Sequence, residues 1–374
     1  ELMRMRYGIA VAGTHGKTTT TSMIALCLKE ALLDPTIVIG GRFDAIGSSA
    51  QKGQGDLLVA EADESDGSFL LLSPTIAVIT NIDPEHLEHW KSEEALINGF
   101  VTFAQKVPFF GFAVLCLDHP TVQSILPRIG RRIITYGFNS QADLVARNTR
   151  SNGINSTFEV VHNQISLGDV TLSMPGHHNI CNALAAIAVG LELQIEFEVI
   201  RKALNNFDGV QRRFTVRGKC LAPNAATDSA AITLIDDYAH HPVEIIATLQ
   251  AARQSFPAAR IFAVFQPHRF TRVQRLFDDF CRAFNFANTV LIPPIYAAGE
   301  SPIEGINNQK LADRIHHFGH RDTRPIASLD ECCTVLLTEL QPSDIVITLG
   351  AGNVNHICQQ LVNALRPASF AHSH

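Results

Sequence analysis

Tyr7-Gly8-Ile9-Ala10-Val11-Ala12-Gly13-Thr14-His15-Gly16-Lys17-Thr18-Thr19-Thr20 is a short apolar run that breaks into a glycine-spaced turn and continues as a helix. That order of strand, glycine turn and Lys-Thr helix start decides the fold, because it makes a phosphate-binding loop. Gly13 and Gly16 let backbone N–H groups close around phosphate oxygens, and the positive end of the helix starting near Lys17 faces the same place. Lys17 supplies a mobile charge for the β- and γ-phosphates, and the Thr18 hydroxyl is placed for Mg²⁺. Val11 stands where the longer Walker pattern has its first glycine, so the loop is a shortened G-x-x-G-K-T-T variant. The plainer alternative is a glycine turn before a helix with an exposed lysine.

Outward from the loop, residues 7 to about 140 alternate short β-rich runs with helical stretches. Strands are expected at 9–12, 36–39, 57–60, 76–80, 113–116 and 133–136, and helices at 17–33 and 92–107. This alternation predicts a mostly parallel α/β sheet with ligands at the carboxyl ends of its strands. Residues 141–175 change to polar/apolar alternation with Asn-Gly and Leu-Gly-Asp turn signals, which reads as antiparallel hairpins appended to that sheet. A helix over 179–193 follows the Pro175-Gly176 break.

The chain pauses at Phe207-Asp208-Gly209-Val210, a candidate hinge. Two domains are therefore expected, 1–207 and 208–374, the second Rossmann-like. In it strands are predicted at 232–236, 261–266, 289–292 and 345–349, and helices at 242–255, 271–286, 307–317, 329–340 and after Gly352. Gly350-Ala351-Gly352-Asn353 lacks the third glycine of a dinucleotide fingerprint and follows the last strand, so it is not read as such a site.

Length and composition agree with two folded units. The chain has 374 residues, 46% hydrophobic and 18% charged, too long for one ordinary core and too apolar for disorder. A net charge of −6 with no lysine- or arginine-rich face argues against general nucleic-acid binding. No apolar run is long enough for a membrane helix, and no signal peptide is visible. Eight cysteines are scattered without framework spacing and are expected to be reduced core fillers in a cytoplasmic protein. The opening Glu1-Leu2-Met3-Arg4-Met5-Arg6 runs straight into the first strand, as a fragment would.

Several strand ends carry chemistry. Glu61 is the first acid after an apolar strand and so is a candidate Mg²⁺ ligand, or else part of a solvated acidic strand end. His86, in Asn81-Ile82-Asp83-Pro84-Glu85-His86, is placed to ligate a second divalent ion, to contact the transferred phosphate, or to serve structure alone. Asn179 and Asn182 share a helix face; they read an adenine edge beside a stacking His178 ring, or they cap the helix. Arg269 and Arg272 have the fork geometry that suits phosphate or carboxylate. Closed-site spacing of His and Cys is missing, so zinc is not expected.

Gly13-Thr14-His15-Gly16-Lys17-Thr18-Thr19, Glu61-Ala62-Asp63-Glu64-Ser65-Asp66, Asn81-Ile82-Asp83-Pro84-Glu85-His86, Pro175-Gly176-His177-His178-Asn179, Arg212-Arg213-Phe214, Asp236-Asp237-Tyr238-Ala239-His240-His241-Pro242 and His268-Arg269-Phe270 together resemble the Mur ligases. The motifs run in family order over essentially the whole chain. The resemblance implies an ATP-dependent amide-bond ligase of bacterial peptidoglycan synthesis, with a central P-loop ATPase domain and a C-terminal Rossmann-like α/β domain. Within the family the wording favours the branch that joins L-alanine to UDP-N-acetylmuramate through an acyl phosphate. It implies ATP and Mg²⁺, with Mn²⁺ able to substitute, and a leading UDP-substrate domain that family members carry ahead of the loop. Residues Gly13, Thr14, His15, Gly16, Lys17, Thr18 and Thr19 then hold the nucleotide, with Lys17 on the γ-phosphate. Thr18 and Glu61 hold Mg²⁺, and His86 belongs to a second metal. His178, Asn179 and Asn182 sit by the adenine, Arg213 near the phosphates and Asp236 by the ribose. Tyr238, His240, Arg269 and Arg272 face the amino acid and the new amide. Val101 stands where several sister ligases use a carbamylated lysine, so no such lysine is expected. The competing expectations are a murein-tripeptide recycling ligase or folylpolyglutamate synthetase, an ATP-binding module without ligase activity, and a P-loop motor or kinase.

Overall fold

The structure is a computed structural model that describes residues 2–43, 48–223, 225–226 and 229–368. It divides into two compact units, Glu1–Gln211 and Arg212–His374.

In the first unit β1 (Tyr7–Ala12) leads into α1 (Lys17–Glu30), followed by β2 (Thr36–Phe43), β3 (Ser48–Gln51), β4 (Leu57–Glu61) and β5 (Ile76–Ile79). Next come α2 (Leu87–Trp90), α3 (Glu93–Gln105), β6 (Phe112–Cys116), α4 (Pro120–Ile125) and β7 (Ile133–Gly137). Three long strands, β8 (Leu144–Asn152), β9 (Asn155–His162) and β10 (Ile165–Leu172), precede α5 (His177–Glu192) and α6 (Phe197–Asn205). The described strands form one ten-stranded sheet in the order β10-β9-β8-β7-β6-β5-β1-β4-β2-β3. Its middle is parallel, with β1 between β4 and β5, so the loop leaves the centre of the sheet.

Alternation along β1 explains why both faces are covered. Ile9 and Val11 pack with Met23, Ile24 and Leu28 of α1 and with α5 and α6, whereas Ala10 and Ala12 face Phe100 and Phe103 of α3. A parallel strand buried on both faces needs apolar residues at consecutive positions, which is the run seen before Gly13. The expected hairpins are present: β8, β9 and β10 pair antiparallel. Asn163 and Gln164 turn the second hairpin with φ of 48° and 68°, the left-handed pair that a right-twisted two-residue connection requires. Phe207 and Val210, at the pause in the sequence, are buried in the core of this first unit.

The second unit begins with β11 (Thr215–Cys220), an antiparallel edge strand with no sequence signal strong enough to expect it. It pairs with β12 (Ile232–Asp237), which α7 (Pro242–Ser255) and β13 (Ile261–Phe265) follow. The helix expected over 271–286 is two short pieces, α8 (Phe270–Arg275) and α9 (Phe277–Phe280). Asp278 and Asp279 lie in the first turn of the second piece, where acidic side chains favour a new helix start. The rest is β14 (Thr289–Ile292), α10 (Asn308–His317), β15 (Thr323–Pro325), α11 (Leu329–Glu339), β16 (Ile345–Leu349) and α12 (His356–Ala364). The sheet order β11-β12-β16-β13-β14-β15 is parallel apart from β11. Among the described residues no helix is long and apolar enough to cross a membrane.

Candidate active site

The loop after β1 is shaped by close approach. Gly13 has φ 137°, and a Cβ there would lie 2.0 Å from the Thr80 hydroxyl; Gly16 has φ 80°, and a Cβ there would lie 2.6 Å from Asn182 Oδ1. Both positions therefore exclude side chains on two counts, backbone conformation and space. Asn81, just past β5, holds the loop from outside: its side-chain oxygen accepts the His15 N–H at 2.7 Å and its amide donates to His15 O at 3.0 Å. The first helical hydrogen bond of α1 runs from Thr20 N to Gly16 O, so the N–H groups of Lys17, Thr18 and Thr19 head the helix without an intrahelical partner. A phosphate meets that set of donors at the positive end of α1.

Lys17 Nζ folds back over the loop, donating to Gly13 O at 2.6 Å, Thr14 O at 3.2 Å and Glu64 Oε2 at 2.8 Å. Glu64 is 1% exposed, and its burial holds the carboxyl above the usual range even beside Lys17. Its second oxygen, Oε1, is buried with no hydrogen-bond partner. A buried ion pair with one orphaned oxygen is costly to maintain and stands ready to exchange partners. The cradle closed to any Cβ and this orphaned oxygen both fit a nucleotide phosphate with its cation.

The neighbouring strands deliver the other expected residues. Glu61 ends β4 in register with Val11, and its Oε2 accepts the Gly40 N–H at 2.8 Å. His86 immediately precedes α2 in a left-handed conformation, φ 55°, with its ring 3.5 Å from Glu85 Oε2 and 3.6 Å from Glu88 Oε1. Asp83, which sequence reasoning did not single out, lies between two imidazoles, 3.5 Å from His15 and 3.3 Å from His119. Thr18 and Thr19 are buried in the first turn of α1.

Asn179 and Asn182 do share one face of α5, but their amides are turned inward. Asn179 Nδ2 donates to Pro175 O at 2.8 Å, Asn182 Nδ2 donates to Asn179 Oδ1 at 3.4 Å, and Asn182 Oδ1 accepts from Thr20 at 3.1 Å. The pair ties the start of α5 to α1. His178 is exposed one residue earlier, and the neighbouring His177 ring packs on Phe138 with centroids 4.6 Å apart. Val101 is buried in α3.

In the second unit an aromatic and basic cluster gathers at the ends of β12 and β13. The rings of Tyr238 and His240 lie 5.2 Å apart, those of His240 and His268 6.1 Å, and His268 stacks on Tyr296 at 5.4 Å. Arg212 and Arg213 stand over Tyr238 at 5.0 and 5.4 Å. Glu244, missed in the sequence, holds this group together: its Oε2 accepts the His240 N–H at 3.0 Å and its Oε1 lies 3.5 Å from Arg213. Arg272 reaches His268 Nδ1 at 3.3 Å, and Arg269, with φ 67°, precedes α8. Burial, then the charges of Arg272, His240 and Arg269, push His268 down to about 4, so its ring is neutral at physiological pH.

Asp236, expected by the ribose, is held at the end of β12. It is fully buried; Thr348 donates to Oδ1 at 2.9 Å, and Arg217 and Arg212 lie 3.1 and 3.4 Å from Oδ2. Its neighbour Asp237 accepts from Phe214 N and Ala239 N, and burial raises its carboxyl to about 6. Gly350 and Gly352 pack against Gln266, where a Cβ would lie 2.8 and 2.4 Å from Gln266 atoms, so their glycines serve strand packing.

A phosphate loop at the centre of a parallel sheet, followed by a Rossmann-like unit with a basic aromatic cluster, defines a two-unit nucleotide-dependent α/β protein. Residues 11–190 match the Mur ligase middle domain and residues 224–352 the Mur ligase glutamate ligase domain. The chain belongs to the Mur ligase family. It is 50% identical over 368 residues to the UDP-N-acetylmuramate–L-alanine ligase of Geobacter sp. strain M21, covering 98% of this chain and 78% of that one. The enzyme of the same name from Sorangium cellulosum is 52% identical over 357 residues, covering 95% and 74%. Among solved structures, UDP-N-acetylmuramate-alanine ligase MurC from Thermotoga maritima superposes with a TM-score of 0.78 at 28% identity, over 96% of this chain and 75% of that one. The MurF ligase of the same organism, solved in complex with ADP, shares the fold at a TM-score of 0.72 and 18% identity, over 96% of this chain and 79% of that one.

Proposed function

We propose that this chain joins L-alanine to the lactyl carboxylate of UDP-N-acetylmuramate at the expense of ATP, in the cytoplasmic stage of bacterial peptidoglycan precursor synthesis. The identity of about half of all residues with ligases of that name carries the substrate assignment. The lysine lying over a side-chain-free loop carries the chemistry.

The γ-phosphate goes to the lactyl carboxylate to form an acyl phosphate, the L-alanine amine attacks that carbonyl, and phosphate leaves. Gly13, Thr14, His15, Gly16, Thr18 and Thr19 cradle the phosphates through the loop and the head of α1. Lys17 leaves the Gly13 and Thr14 carbonyls and Glu64 for the γ-phosphate, where its charge stabilises the transferring group. Thr18 and Glu61 hold Mg²⁺, with His86 for a second cation and Mn²⁺ as a substitute. These ions, when bound, neutralise charge on the phosphoryl oxygens. His178, Asn179 and Asn182 form the adenine end, and the inward amides of the two asparagines fix the helix that presents it.

In the second unit Arg213 serves the phosphates, and Asp236 serves the ribose end by holding Arg212 and Arg217. Tyr238, His240, Arg269 and Arg272 receive the amino acid, whose carboxylate suits the arginine forks. His268, kept neutral, adds no competing charge.

The test is phosphate release with ATP, Mg²⁺, UDP-N-acetylmuramate and L-alanine. It is run on the chain as it stands and on the chain extended at its start with the leading residues of the Geobacter relative. Release that requires both acceptor substrates, with product of the mass of UDP-N-acetylmuramoyl-L-alanine, is expected from the extended chain. Release that ignores L-alanine, or that needs a peptide instead, overturns the reading in favour of a different ligase.

A further inference from the structure

Cys116, Asp118 and Cys181 lie in separate sequence motifs, yet the first unit brings them together. Cys116 ends β6, Asp118 follows it by two residues, and Cys181 sits in the first turns of α5. One ligand atom from each lies within 4.8 Å of the other two. The two sulfurs lie within 4.8 Å of each other, and Cys181 Sγ donates to Asp118 Oδ2 at 3.7 Å.

The third ligand is positioned before any ion arrives. Asp118 Oδ2 accepts the Phe138 N–H at 2.7 Å and Oδ1 accepts the Asn139 N–H at 2.8 Å. That approach depends on Gly137, φ 154°, where a Cβ would lie 2.5 Å from the carboxylate. On the inner side the fully buried Tyr136 pairs with Cys116 across β6 and β7 and closes the cluster from the core. The geometry is thus two neighbouring thiols beside a carboxylate that two backbone N–H groups hold in place, and such supporting bonds orient metal ligands.

We propose that Cys116, Asp118 and Cys181 bind a thiophilic divalent cation of the zinc class, with three protein ligands and a fourth position open to solvent. In a tetrahedral site with Zn–S bonds of about 2.3 Å the ligand atoms stand about 3.8 Å apart, so the observed spacings need only a small contraction. Cys116 is 5% exposed, Cys181 partly buried and Asp118 exposed, so the ion enters from the Asp118 side and keeps a water there. Binding displaces both thiol protons to solvent. Two sulfurs select against Mg²⁺, which takes oxygen ligands, so this site and the phosphate loop draw on different ions.

The test is titration of the reduced full chain with Cd²⁺ in millimolar Mg²⁺, following thiolate-to-metal charge-transfer absorbance, with Zn²⁺ added as competitor. One tight equivalent whose absorbance corresponds to two thiolates, displaced by Zn²⁺ and unaffected by excess Mg²⁺, is expected. Cys181→Ser weakens it by about 100-fold or more and Asp118→Asn by about 10-fold, whereas Cys332→Ser, on α11, leaves it unchanged. Cys116→Ser is the harsher variant because that residue is core; Cys181→Ser, at a partly exposed position, carries the test if Cys116→Ser does not fold. Unchanged binding in Cys181→Ser, an absorbance that follows Cys332, or no thiolate absorbance in the folded chain overturns the proposal.

Discussion

The loop site of the first unit and the aromatic-basic cluster of the second are built on opposite plans. The loop comes from one contiguous stretch, its shape set by backbone, and its cation is held by two main-chain carbonyls and one buried carboxylate. The cluster is assembled from side chains of four separate segments, braced by rings, by Glu244 and by the buried Asp236. A site written in the backbone tolerates little at its glycines but asks little of distant residues. A site written in side chains depends on every element that carries one.

The largest effect expected from this contrast is on turnover. Lys17→Met should lower product formation by about 1,000-fold, since a positioned charge on the transferring group is lost. Steady-state phosphate release measures it, and a change under tenfold breaks the loop half of the comparison. The same substitution strands Glu64 in the core and should lower the stability of the first unit by about 3 kcal/mol at pH 8. The sign follows from the carboxyl, whose folded pKa is raised. That stability is present below the unfolded value and is lost as pH rises through the folded one, so the variant should be closer to wild type at pH 5. Lys17→Met with Glu64→Gln should recover the stability and none of the turnover; thermal melts at both pH values decide.

In the second unit Arg272→Lys keeps the charge but loses the fork, and should cost about 2 kcal/mol in kcat/KM for L-alanine with ATP use less affected. Equal losses for both substrates would mean that the arginine serves the fold. Gly16→Ala is smaller still, about 1–2 kcal/mol of stability from the left-handed backbone and the approach to Asn182. Adding Asn182→Ala should relieve the contact and leave the backbone part. Finally, His268 should titrate near 4 by NMR, and Arg272→Ala should move it upward without reaching its ordinary 6.5, because burial is the larger cause. A ring titrating normally in the wild type would show the cluster to be open to water.

Much of the first site was legible because its information is contiguous. Gly13, Gly16, Lys17 and Thr18 announce a loop, and apolar runs before Glu61 and Asn81 announce the strands on either side of it. The role of Glu64 is hidden in its motif, since nothing in an acidic strand end says which carboxylate turns inward. Asp83 and His119 are hidden for a similar reason: their meeting crosses from the loop after β5 to the residue before α4. The split of the helix expected over 271–286 escaped because its apolar residues are compatible with one continuous helix, whereas Phe280, Cys281 and Phe284 are buried through a break.

The amino-acid sequence by itself determined the loop, the order of strands and helices around it and the family, because each rests on local conformation or on ordered motifs. Tertiary structure alone decided which way side chains face. It turned Asn179 and Asn182 inward and buried Asp236 against Thr348 and two arginines. It also drew Cys116, Asp118 and Cys181 into one cluster although their spacing gave no metal signal. The physical reason is that a glycine's freedom or a strand's alternation is a property of neighbours in the chain. A carboxylate's burial or a thiol's partner is set by whatever the completed sheet and helices bring beside it.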